Sequence, residues 1–79
     1  VTTIDARGLR HPGHIRAFRD AFAGLCTVFQ EVEILIDDLP EERRKLEMFI
    51  RSCRGNFTVE KKPEGHLHIR IEPPFHLCG

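Results

Sequence analysis

The chain's 79 residues suffice for one domain, and a domain this small buries only ~60% of the surface its unfolded chain exposes. Twelve Lys plus Arg balance twelve Asp plus Glu, which argues against a nucleic-acid or membrane-surface binder acting through bulk charge. Hydrophobic residues at 41% and charged residues at 30% suit a folded globular domain rather than a disordered one. No apolar run approaches the ~20 residues that span a bilayer. Asp5, Arg7 and Arg10 break any apolar segment of signal-peptide type. Cys26, Cys53 and Cys78 are odd in number and widely spaced, unlike a disulfide framework or a zinc knuckle. They suit a reducing compartment, so the expected setting is cytoplasmic.

Thr2–Ala6 is short, β-branched and alternating, which predicts a strand. Arg7-Gly8-Leu9-Arg10 reads as a loop, and Pro12 stands where the first turn of a helix tolerates a proline. Ile15, Phe18, Phe22 and Leu25 then make one apolar stripe of a first helix ending near Gly24. Val32, Ile34 and Ile36 alternate with Glu31, Glu33 and Asp37, which predicts a strand with one buried face. Asp38 reads as an N-cap with Glu41 three residues later, and Pro40 fits the first turn. The second helix carries Leu46, Phe49, Ile50 and Cys53 on one stripe, with Gly55 as a left-handed stop. A hairpin closes the chain: Phe57–Lys62, a turn at Pro63-Glu64-Gly65, then His66–Glu72. Residues 73–79 are expected to form a short C-terminal tail of the single domain 1–79.

The order is β-α-β-α-β-β. Amphipathic helices and strands with one polar face predict an α/β two-layer sandwich: a four-stranded mixed sheet with two helices on one face. A doubly wound sheet would need strands apolar on both sides, and these are not.

Ile4-Asp5-Ala6-Arg7-Gly8-Leu9-Arg10-His11-Pro12 resembles the signature of the TusA/SirA-like sulfur-carrier family, roughly Leu-Asp-x-x-Gly-Leu-x-Cys-Pro-x-Pro at a strand-to-helix junction. Asp37-Asp38 and the Gly55-x-Phe57-x-Val59 entry into the third strand also match, the latter with spacing one residue longer. The resemblance covers essentially the whole chain. It implies a sulfurtransferase-like carrier, whose cysteine takes a persulfide from a desulfurase and passes the sulfur on, for instance towards tRNA thiolation. A helix N-terminus favours the thiolate this needs. Here the cysteine position is His11 and the second proline is His14, and an imidazole cannot carry a persulfide.

Three readings compete for His11 and His14: both as metal ligands, His11 as an acid/base group, or both as surface polar residues in a junction that binds a partner or nothing. The binding surface would comprise Arg7, Gly8, Arg10, His11, Pro12, His14 and Arg16. His66 and His68 lie on one side of the last strand, where a solvated edge is expected and a joint metal site is conceivable. Cys53 reads as core, and Cys26 as partly exposed. Cys78, with His76 nearby, lies on the tail. The resulting expectation is an accessory or protein-binding member of a sulfur-relay system, with a protein partner, no cofactor, no membrane contact and tRNA only indirectly. The alternatives are a carrier using a relocated cysteine, Cys78 ahead of Cys26, or a small metal-binding protein using His11 and His14.

Overall fold

A computed structural model describes residues 1–77. Its elements are β1 (Thr2–Asp5), α1 (Gly13–Ala21), β2 (Thr27–Val28), β3 (Val32–Asp37), α2 (Pro40–Ser52), β4 (Asn56–Lys61), β5 (His66–Glu72) and β6 (Phe75–His76). The main sheet runs β1-β3-β5-β4. β1 pairs parallel with β3, while β5 pairs antiparallel with both β3 and β4. This is the mixed four-stranded sheet expected, with α1 and α2 over one face. Ile4, Val32, Ile34, Ile36, Leu67, Ile69 and Ile71 of the sheet, with Phe18, Leu46 and Ile50 of the helices, form the buried core. Fully burying each such side chain stabilises the fold by roughly 1.5–3 kcal/mol. The other face is polar apart from the half-buried Leu35, in keeping with period-two alternation. Among the described residues no helix is long and apolar enough to cross a membrane.

Four local expectations are corrected. The first helix ends at Ala21, where the Phe22 amide turns back to the Arg19 carbonyl and the Ala23 amide to that of Asp20. The stripe therefore stops a turn early: Phe22 is buried but Leu25 is 51% exposed. At α2 the N-cap is Leu39, not Asp38, because Pro40 takes the first helical position. Asp38 pairs instead with Lys61 at 3.0 Å, and Glu41 with Arg44 at 3.1 Å.

After α2 the left-handed residue is Arg54, at φ 60°. Gly55 serves close packing instead: a Cβ there would lie 3.1 Å from Ile71 Cγ2 and 3.3 Å from both Ile50 Cγ2 and Phe75 Cβ. Finally, the described part of the expected tail, residues 73–77, adds a strand and one core side chain. β6 pairs antiparallel with β2, and Phe75 is fully buried against Phe18 and Phe22 at ring separations of 5.7 and 6.3 Å. The His76 amide donates to the Cys53 carbonyl and the Leu77 amide to that of Cys26.

Candidate functional site at the first strand-to-helix junction

β1 delivers the chain to the rim of the sheet, where Ala6 is fully buried and donates its N–H to the Leu35 carbonyl. Asp5 then grips Arg7. Its carboxylate accepts from Arg7 Nε at 2.9 Å, Nη2 at 2.8 Å and the Arg7 amide at 3.2 Å. These hydrogen bonds, side-chain first, hold the Asp5 carboxyl down to about 2. Gly8 turns the chain at φ 83°, a conformation that glycine adopts without strain, and its amide donates to Asp37 Oδ2 at 2.9 Å.

The next anchor comes from α2. The His11 amide donates to Glu42 Oε2 at 2.7 Å, across 31 residues of sequence. The His14 ring approaches the same oxygen, with Nε2 3.0 Å away. That approach lies off the line of a good hydrogen bond, and Nδ1 has no polar partner among the described residues. His14 is fully buried, which corrects the expectation that both histidines are surface residues. His11 remains exposed, its ring 5.6 Å from that of His14 and tilted by 58°.

Burial is the main force on His14 and pushes its pKa below the ordinary 6.5, against the pull of the Glu42 carboxylate. The ring is thus held neutral. A histidine that binds fewer protons folded than unfolded makes acid destabilising. The domain should lose stability as pH falls from about 7.5 through the unfolded-state value toward the depressed folded one. His14→Leu should remove that part of the slope. Urea midpoints measured across this range would contradict the assignment if wild type and variant followed one pH curve.

The junction gathers Arg7, Gly8, Arg10, His11, Pro12 and His14 at one end of the sheet, with Arg16 one turn into α1. Arg10 and Arg16 are exposed, and neither forms an ion pair among the described residues, whereas Arg7 is committed to Asp5. The arrangement presents two unpaired cations beside an exposed imidazole, on a loop fixed by two carboxylates from β3 and α2. Glu42 was not legible as a site residue, since nothing in the spacing of an acidic block singles out the one carboxylate that faces a buried histidine.

Elsewhere, Cys53 is buried and its thiol pushed up by burial, so it is core and not a nucleophile. Cys26 is exposed but disulfide-bonded, where the cysteine spacing had predicted free thiols. Cys78 lies outside the described residues. No group of three or more His, Cys, Asp or Glu side chains suited to a metal ion occurs among the described residues. His66 and His68 do meet: their Nε2 atoms are 3.1 Å apart and their rings stack at 5.0 Å.

No family model matches the chain, and no curated protein matches it. Among solved structures it is similar to the crystal structure of the SirA-like protein from Desulfitobacterium hafniense. The two share a TM-score of 0.70 and 26% sequence identity over 90% of this chain and 95% of that one.

Proposed function

We propose that this chain, which has a SirA/TusA-like fold, serves as an accessory or protein-binding member of a sulfur-transfer system. It keeps the junction on which such a system docks and puts His11 where the family signature has its cysteine. What carries the reading is the junction's construction. Asp37 and Glu42 hold the backbone at Gly8 and His11, so the loop keeps a fixed shape for a partner to read although no thiol stands at its mouth. Arg10 and Arg16 supply cations for an acidic protein surface, where a pair excluded from water contributes far more than an exposed one. The part played is recognition and not chemistry.

The test is incubation with a cysteine desulfurase and cysteine, followed by intact-mass measurement with and without reductant, since Cys26 is disulfide-bonded. The expected result is no gain equal to the mass of a sulfur atom on this chain. A persulfide adduct that disappears in Cys78→Ser would overturn the accessory reading and establish a carrier with a relocated cysteine. In parallel, Arg10→Glu with Arg16→Glu should slow association with the sulfur-donating partner by about tenfold or more at low salt. Unchanged association would remove this face as the docking surface.

A further inference from the structure

The open face of the sheet, opposite the helices, carries a second pair of histidines that the junction does not use. We propose that His66 and His68 chelate a divalent transition metal of the imidazole-preferring class, Zn2+, Ni2+ or Cu2+. Their Nε2 atoms converge to 3.1 Å. Two nitrogens each ~2.05 Å from one zinc, at angles near tetrahedral, stand ~3.1–3.4 Å apart. The ligand separation a metal requires is therefore already present. Residues i and i+2 of a strand share a face, and the two rings stack with planes only 29° apart.

The platform is rigid. β5 is flanked by β3 and β4, with His66 opposite Asp37 and His68 between Leu35 and Glu60. Both histidines are half-buried, so their rotamers are confined without being sealed from solvent. His68 Nδ1 faces Glu33 Oε2 at 3.5 Å. An N–H directed at that carboxylate leaves the Nε2 lone pair for the metal, as outer-shell carboxylates commonly arrange. Glu33 is itself held by Arg70, whose guanidinium lies 3.4 Å away. Asp37 beside the pair adds negative charge that favours a dication, while Glu60 is committed to Lys62 at 2.7 Å. Water fills the remaining coordination positions, which makes this an open two-histidine site and not a closed structural one. In the absence of metal, one ring's Nε2–H donates to the other's lone pair. Nothing in the site depends on the sulfur-relay reading.

The experiment uses untagged full-length protein titrated with ZnCl2 by calorimetry, and with Cu2+ followed by electron paramagnetic resonance. A single equivalent of Zn2+ is expected to bind. His66→Gln and His68→Gln should each weaken binding at least about tenfold, since losing a direct ligand costs no less than losing an outer-shell partner. His11→Gln should leave binding unchanged. The Cu2+ spectrum of wild type should show two coordinating imidazole nitrogens, a readout independent of how any variant folds. Zn2+ should also raise the melting temperature of wild type with concentration, and not that of the double variant. Binding by the single variants as tight as wild type, or a Cu2+ spectrum without two nitrogens, would overturn the proposal.

Discussion

Replacing Phe75 by alanine is expected to cost the domain about 3–5 kcal/mol, the range for emptying an aromatic-sized space in a packed core. Phe75 is fully buried and meets Phe18, Phe22 and the backbone at Gly55. Gly55 has no side chain that can move in to fill the space, and Phe18 is also engaged with Phe49 at 5.6 Å. A domain of this length has about 4–12 kcal/mol of stability in total. Phe75→Ala should therefore lower the melting temperature by at least about 15 °C or leave the protein unfolded. Urea denaturation followed by far-UV circular dichroism decides it. A loss under about 1 kcal/mol, the size of an ordinary surface change, would show that β6 does not hold the core together.

Glu42→Ala should be the most damaging single change at the junction itself. It removes the acceptor of the His11 amide and, among the described residues, the one carboxylate beside the fully buried His14. A hydrogen bond to a charged group contributes about 1.5–3 kcal/mol, so a fall in melting temperature of about 10 °C is expected. Glu42→Gln keeps one carbonyl oxygen and should recover at least half of that loss. The backbone of residues 8–14 should also loosen. Faster amide exchange at His11 in Glu42→Ala than in Glu42→Gln would separate this from a general loss of stability. Equal melting temperatures for wild type and Glu42→Ala would remove the clamp from the description of the site.

The layered architecture was legible because it depends on periodicity. The alternation of Val32, Ile34 and Ile36, and of Leu67, Ile69 and Ile71, marks one buried face on each of β3 and β5. What was not legible depended on contacts between distant residues. β2 and β6 are two residues each, too short for any period to show. Phe75, following two prolines, looks like the start of a frayed end until Val28 is brought opposite it.

The helix boundaries shifted for a related reason. Pro40 makes Leu39 the cap whatever Asp38 prefers, and tight turns at Phe22 and Ala23 leading to a left-handed Gly24 take the chain out of α1 before its stripe is complete. At the junction the loop and its glycine were legible. The burial of His14 was not, because it is α2 that covers the residue.

Glu42 has an electrostatic consequence for the mouth of α1. The positive end of a helix dipole and its neighbouring amides draw in an anion, which is the reason a thiolate would be at home there. In this chain a carboxylate from α2 already serves as an intramolecular counter-ion, seated on the His11 amide. Any negatively charged visitor to the junction has to displace it or accept its repulsion. The chain therefore selects, at the point where its fold would otherwise welcome an anion, for a neutral or cationic guest at the helix mouth. The exposed cations, Arg10 and Arg16, stand outward on the rim.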